Sequence, residues 1–485
     1  MQIRIIHKAD NVGIVLDHAG EIPFGHKAAL REIRSGEPII KYGVSIGAAV
    51  CDIHQGDWVH THNMRTSLGE IKNLEYHPME SAPSEFFDAQ DRKLPVFSGY
   101  RREDGQTGIR NDLWIIPTVG CVNSFAQRIK ALAEKKMADQ PGVFDNVLCL
   151  THSFGCSRLE EDTERLTVLL RSLCRHPNAA GVLLIGLGCE HTTVASVLEG
   201  LGDAPRVRGM VCQQVEDEEA KAMELIDALM RQAANDIRED IPVSELILGV
   251  KCGGSDSLSG VTANPLAGRV MDRVITFGGS GIMGEIPEMF GAEHVVLDRC
   301  ASQGVFDEAS AMIDSAKAYY LDRGAPISEN PSPGNKEGGI TTLEEKSMGC
   351  VQKGGTTPLR GAVRYGYRIQ TRGLNMVESP GNDLVSTTAI AAAGAHLILF
   401  TTGRGTPMGG IVPTIKISSN ADLSERKRGA WIDFDAGRCL AEGQDQACEQ
   451  ELWELIIDVA SGKKKTRSET KGCQEFAVLQ TGVIL

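Results

Sequence analysis

Five apolar runs in this chain each end with a cysteine at or near the point where the polypeptide turns back. DLWIIPTV runs into GCVN, with Cys121 and Asn123, and NVLCL runs into THSFGCS, with His152 and Cys156. GVLLIGLG leads to Cys189, Glu190 and His191, GMV to Cys212, Gln213 and Gln214, and ELILGV to KCGGSD, with Cys252 and Asp256. Ligands of open α/β sheets bind beyond the carboxyl ends of the strands, so these residues belong in one reading. Thiols beside imidazole and carboxylate suit a redox-active metal or an iron–sulfur cluster. A free cysteine is also a small hydrophobe that fits a packed strand end. No CxxC pair occurs, so a cluster would have to be assembled from separate strands.

Other residues point the same way. In DWVHTHN, His60 and His62 alternate, and on a strand both would face one side as a chelating pair for a divalent metal. Lys27 follows His26 after a glycine, where either a solvated charge or a base would serve. TTGRGTP sets Arg404 between glycines at a strand end, either in a plain tight turn or where the backbone can approach a ligand and Arg can grip a carboxylate. Phosphate cradles find no support. GxxxxGK[ST] is absent, GLGCEH lacks the third glycine of a dinucleotide fingerprint, and TTGRGTPMGG has its third glycine one position late.

These residues need elements to hold them. Up to about residue 70, short alternating segments between Gly, Pro and Asp turns predict a small β unit, with a short helix at GHKAALREI. Residues 71–98 are polar, acidic and aperiodic, and predict a linker. From Gly99, apolar runs alternate with amphipathic stretches such as FAQRIKALAEKKMA and EDTERLTVLLRSLCRH, which predicts α/β architecture with mainly parallel sheets. A boundary near Pro242 separates residues 99–241 from a second α/β lobe, 242–485, that ends in a helix. RVITFGG and HVVLD are read among its strands.

Composition narrows the class. A chain of 485 residues exceeds one ordinary core, and its 42% apolar and 24% charged residues are those of a soluble globular protein. The formal charge of −14 excludes a phosphate-neutralising stripe for nucleic acid, so an anionic substrate must be held by a local cluster of donors. No run reaches the length of a membrane span, and the N-terminus lacks the apolar core of a signal peptide, so the cytoplasm is the expected location. There the thirteen cysteines are expected to be thiols or metal ligands. Symmetry frequencies make a homo-oligomer, a dimer, the expected assembly.

Taken together the motifs resemble the altronate and galactarate dehydratase family of sugar-acid hydro-lyases. The resemblance runs along the whole chain, through GHKAAL, VHTHN, GIRNDLWIIPTVGCVN, HSFGCS, RHPNAAGVLLIGLGCE, CGGSDSLSGVTANP, GEIPEMFGAE, NPSPGNKEGGITTLEEKSMGC, SPGND, TTGRGTP and WIDFDAG. VHTHN, ITTLEEKS and WIDFDAG are closer to the altronate branch. It implies an N-terminal SAF-like β domain on a larger α/β body. It also implies loss of water from D-altronate to give 2-dehydro-3-deoxy-D-gluconate, with ferrous iron as cofactor and manganese as its substitute. Galactarate dehydration, a sulfo-lyase reaction on sulfolactate and a non-catalytic sugar-acid sensor are the competing readings.

Removing a proton α to a carboxylate creates a doubly charged enediolate, which a metal and cations must stabilise. On that reading His60 and His62 face the metal from the first domain, with His152, Cys156, Cys189 or Glu190 opposite. Lys27 or Lys336 is the base, with His26 beside it, and Arg404 clamps the carboxylate. Ser255, Asp256, Thr262, Asn264, Asn335, Asn382 and Asp383 would bind the polyol.

Overall fold

The computed structural model describes residues 2–17, 20–69, 74–78, 94–157 and 159–481. Of the expected linker, residues 71–73 and 79–93 lie outside them. Residues 74–78 run without regular structure, and Tyr76 donates a hydrogen bond to the Cys300 carbonyl.

The first unit is built from two small antiparallel sheets. One orders Ile3–Arg4, Val12–Val15, Lys27–Ala29 and Trp58–Val59; the other orders Pro38–Lys41, Val44–Ala49 and Met64–Arg65. Val12, Ile33, Ile39, Ile46, Ile53 and Val59 fill the space between them. The helix expected at GHKAALREI does not form. Lys27–Ala29 pairs with Val12–Ile14 on one side and with Trp58–Val59 on the other, and this two-sided ladder overrides a weak local helix preference.

The middle unit has a four-stranded parallel sheet ordered Val147–Cys149, Asp112–Pro117, Ala179–Gly186 and Val207–Val211. The helices Asn123–Asp139, Glu160–Cys174 and Glu218–Ala233 pack on it through Ile129, Leu169 and Leu229 among others. Both faces are covered, so Leu113 to Ile116 are all buried. The chain enters on Val96–Arg101 and leaves on Arg238–Pro242, which pair antiparallel with each other.

The last unit holds seven parallel strands in the order Leu359–Val363, Gly373–Val377, Ser280–Met283, Ile247–Cys252, Leu397–Thr402, Thr414–Ser418 and Phe434–Asp435. Two expected strands are helical. RVIT closes the helix Ala263–Thr276, whose buried Leu266, Val270 and Val274 recur every four residues, and the helical period outweighs the local apolar run. HVVLD begins within the short helix Glu293–Leu297. The helix Asp445–Ala460 packs near the end of the chain, followed by Arg467–Lys471. All thirteen cysteines are free. Among the described residues no helix is long and apolar enough to cross a membrane.

Candidate active site

In the seven-stranded sheet the order reverses beside Ile247–Cys252, which has Ser280–Met283 on one side and Leu397–Thr402 on the other. A crevice opens at the carboxyl ends of strands at such a switch point. The loops leaving the two strands are tied together there. Gly253 N donates to Thr401 O at 3.0 Å, and Gly403 N and Arg404 N both donate to Gly254 O, at 3.0 and 2.8 Å. Glycine is required at Gly403, because a Cβ would lie 2.2 Å from Asp256 Cγ. The Asp256 carboxylate is thereby fixed against the backbone, where it accepts from Ser259 Oγ (2.8 Å), Ser419 Oγ (2.7 Å) and Asn420 Nδ2 (2.9 Å).

Over these loops lies a polar cleft of about 410 Å³, lined by His26, Asp256, Glu337, Arg404 and Arg426 among others. His26 comes from the first unit, so the cleft lies between that unit and the C-terminal one. Trp58 Nε1 donates to His26 Nδ1 (3.3 Å), and His26 Nε2 donates to Glu337 O (3.2 Å). Burial, His60 and Lys27 push this imidazole down to about 4, in keeping with a neutral ring. Arg404 is half exposed and pairs with exposed Glu337 at 2.8 Å, a weak bond that an incoming carboxylate can replace.

Beneath the cleft the sheet edge carries a buried cluster. Cys252, Glu285, Glu288 and Cys350 each bring a ligand atom within 4.8 Å of the others. The two sulfurs are 3.7 Å apart. Three lysines enter the same space. Lys251 Nζ is 2.5 Å from Glu285 and 2.8 Å from Asp383, and Lys346 Nζ is 2.9 Å from Glu288. Lys353 Nζ is 2.6 Å from Cys350 Sγ and 2.7 Å from Glu285. Burial opposes charge on Lys353, but Cys252, Cys350, Glu285 and Glu288 outweigh it and hold the ammonium well above its usual range. Burial likewise opposes the Glu288 charge, and Lys346, Lys251 and Lys353 hold that carboxyl down at about 2. Pairs this deep are stable only when every charge has close partners.

Backbone strain marks the same place. Among the described residues only Tyr42 (φ +62°) and Glu285 (φ +65°) adopt positive φ without being glycine. Each such residue costs about 1–3 kcal/mol, and such strain gathers at functional sites. Tyr42 lines a void of about 10 Å³ with Cys252, Ser255, Asp256, Lys346 and Cys350, and Asp256 and Ser257 also line the cleft, so these two residues join the two spaces.

The first unit is locked onto the last by one carboxylate. Glu345 binds Lys27 Nζ at 2.8 Å and Lys41 Nζ at 2.7 Å, with all three side chains at most 1% exposed. Burial works against its charge, but Lys27 and Lys41 outweigh it and keep the carboxyl far below its usual range. With two ammonium groups on one carboxylate, burial pushes Lys27 down to about 8.

The residues expected as metal ligands do not form one group. The set His60, His62, His152, Cys156, Cys189 and Glu190 is not gathered; among the described residues the Cys252 cluster is the one group of three or more metal-ligating side chains. The strand ends at Val59, so His60 and His62 sit in a turn rather than alternating on one face. His60 Nε2 is held by Lys336 O (2.9 Å), and Trp58 lies against both rings. His152 Nε2 bonds Pro117 O, and Glu190 accepts from Thr118, Leu187 and Gly188. Cys121, Cys156 and Cys189 are exposed and Cys212 is buried.

Lys27 is shut away on Glu345 and Gly339 O, whereas Lys336 is half-buried on the short helix Pro333–Glu337, next to Glu337 of the cleft. Several expected polyol binders turn inward. Thr262 bonds Leu258 O and Ser419 O, Asn264 bridges Gly349 O and Thr401, and Asn335 caps its helix and donates to Ser255 O. Asn382 caps the helix Asp383–Ala392, and Asp383 holds Lys251. Sequence reasoning missed Glu285, Glu288, Cys350, Lys346 and Lys353 as site residues. The signal for Glu285, Glu288 and Lys346 was charge inside the GEIPEMFGAE and LEEKSMGC stretches.

A buried thiol, carboxylate and ammonium cluster under a polar cleft lined by arginine, carboxylate and amide groups fits a small polar acid. Three family models cover nearly the whole chain: the altronate/galactarate dehydratase SAF domain at residues 4–67, the second domain of the D-galactarate dehydratases/altronate hydrolases at 99–234, and the C-terminal domain of the D-galactarate/altronate dehydratases at 243–484. The chain is 44% identical to an altronate dehydratase of Escherichia coli (strain K12), over all of both chains. It is 43% identical to an altronate dehydratase of Bacillus subtilis (strain 168), over 99% of each. It is 32% identical to a galactarate dehydratase (L-threo-forming) of Escherichia coli, over 96% of this chain and 94% of the other. The chain belongs to the D-galactarate/altronate dehydratase family and is an enzyme of that hydro-lyase type.

Proposed function

We propose that this enzyme dehydrates D-altronate to 2-dehydro-3-deoxy-D-gluconate and water. The observation that carries the reading is the junction at Asp256, where a cleft of sugar-acid size meets the buried cluster at the switch point. Full-length relatives named as altronate dehydratases support the substrate over galactarate.

The reaction removes the proton at C2 and expels the 3-hydroxyl as water; the enol left behind becomes the 2-keto acid. Arg404 exchanges Glu337 for the substrate carboxylate, with Arg426 on the same wall. Of the three candidate bases, Lys336 is the best placed. Its Nζ, which must be the neutral amine to accept the C2 proton, has no partner among the described residues, whereas Lys27 is enclosed and both His26 ring nitrogens are engaged. Ser259, Ser419 and Asn420 fix the Asp256 carboxylate in place as an acceptor for substrate hydroxyls.

Two thiols and two carboxylates within reach of one point fit a divalent transition metal, ferrous iron ahead of manganese because of the sulfur. Cys252, Cys350, Glu285 and Glu288 would hold it, with Lys353 withdrawing from the donors it now bridges. When bound it supplies Lewis acidity toward the carboxylate and the departing hydroxyl. The enzyme would work in the cytoplasm as a homodimer.

The test is a 2-keto-3-deoxy-acid assay on protein purified without oxygen, with and without ferrous iron. D-altronate, galactarate and sulfolactate are the three substrates. Product from altronate, dependent on iron, is expected. Product from galactarate alone, or sulfite from sulfolactate alone, overturns the substrate.

A further inference from the structure

A groove of about 660 Å³ opens between the helix Glu160–Cys174 of the middle unit and the chain leaving strand Leu359–Val363. It shares no lining residue with the cleft at Asp256. Four arginines line it, Arg171, Arg175, Arg364 and Arg368, against one acid, Glu164. Glu164, Arg171 and Arg175 follow the helical repeat and share a face. Arg364 follows directly on the strand's last residue, and Arg368 lies four residues further on.

Among the described residues none of these four guanidiniums is in an ion pair, although the chain carries a formal charge of −14. Their partners are neutral. Arg171 donates to Ser196 O (2.6 Å), Arg175 to Leu201 O (2.8 Å), and Arg368 to Arg175 O (3.2 Å) and Gln106 Oε1 (2.6 Å). Arg364 is exposed. Carbonyl acceptors orient a guanidinium without neutralising it. The carboxyl end of the helix offsets part of the repulsion at Arg171 and Arg175, but it does not reach Arg364. Burial, then Arg206 and Arg175, push Arg368 down to about 10 against the pull of Asp104.

We propose that this groove binds a phosphate-bearing metabolite at a second site, apart from the cleft. Arginines held by neutral acceptors line one space, and a tetrahedral dianion can accept from more than one of them at once. The volume is that of a small-molecule site, which runs to roughly 300–1,000 Å³. The remaining wall, with Tyr367 and Val168, offers an apolar and hydroxyl surface for the rest of the molecule.

The probe is pyrophosphate, titrated calorimetrically at low ionic strength into the full-length protein, with D-gluconate as the carboxylate control. One saturable site per chain is expected. Binding should weaken about tenfold or more in Arg175→Ala/Arg364→Ala, as for loss of a charge-assisted bond or two, and persist in Arg404→Ala. If the double variant fails to fold, Arg364→Ala alone should still weaken binding, since that side chain is exposed. Absence of saturable binding to wild type overturns the proposal. So does binding lost in Arg404→Ala but kept in the double variant, which puts the anion in the cleft. Gluconate binding as tightly as pyrophosphate, and lost with the same arginines, overturns phosphate as the ligand class.

Discussion

The described residues form two parallel sheets, each with a switch point, and both bring cysteine and acid to it. At the four-stranded sheet the order reverses between Asp112–Pro117 and Ala179–Gly186, and the loops beyond carry Cys121, Cys156, Cys189 and Glu190. The three thiols stay exposed, and Glu190 spends its oxygens on backbone N–H groups. At the seven-stranded sheet, Cys252 meets Cys350, Glu285 and Glu288 in a buried space where three lysines balance the charge. The residue types at the strand ends are nearly the same. What separates the two is whether other elements close over the strand end: the turn at Glu285 and the helix Leu343–Cys350 do so in one sheet only.

That contrast is tested most strongly with the cysteines. Cys350→Ser should lower iron-dependent turnover by roughly a thousandfold, the several kcal/mol a metal centre supplies. Cys156→Ser and Cys189→Ser should stay within about twofold. Equal losses on both sides would erase the distinction. The next effect is on stability. Glu345→Gln leaves Lys27 and Lys41 buried on a neutral partner, and chemical denaturation should show a loss of about 3–5 kcal/mol. Arg404→Ala should raise KM for the sugar acid roughly ten- to hundredfold, in line with about 1.5–3 kcal/mol for a charged hydrogen bond, with a smaller change in kcat. A change in kcat alone would remove Arg404 from carboxylate binding.

The smallest effect concerns pH. His26 is held at about 4 in the fold and sits near 6.5 when unfolded, so the unfolded chain binds more protons between those values. Stability should therefore fall as pH drops from 6.5 toward 4. The Glu345 carboxyl, also depressed in the fold, adds to the loss below the ordinary carboxylate range. Thermal melts of His26→Gln should show a shallower decline than wild type between pH 6.5 and 5.

The parallel strands were legible because buried strands leave continuous apolar runs, as in GVLLIGLG and ELILGV. RVIT and HVVLD are apolar runs too, but they lie in helices, and four or five residues do not distinguish the two periods. Asp256, Arg404 and His26 were singled out from loops rich in glycine and polar groups, and they line one cleft. The buried cluster was not legible. Lys251, Lys346 and Lys353 read as solvated charges in one dimension, and only the fold sets each against a carboxylate or thiol. The His60–His62 pair misled because the strand stops one residue before it.

The most direct test of the central claim is iron X-ray absorption on anaerobically loaded protein, wild type beside Cys252→Ser/Cys350→Ser. The expected result is two sulfur atoms bound to iron in wild type and none in the double variant. Iron bound only by nitrogen and oxygen in wild type, or a sulfur signal that survives in the double variant, would contradict the assignment of the metal to this cluster.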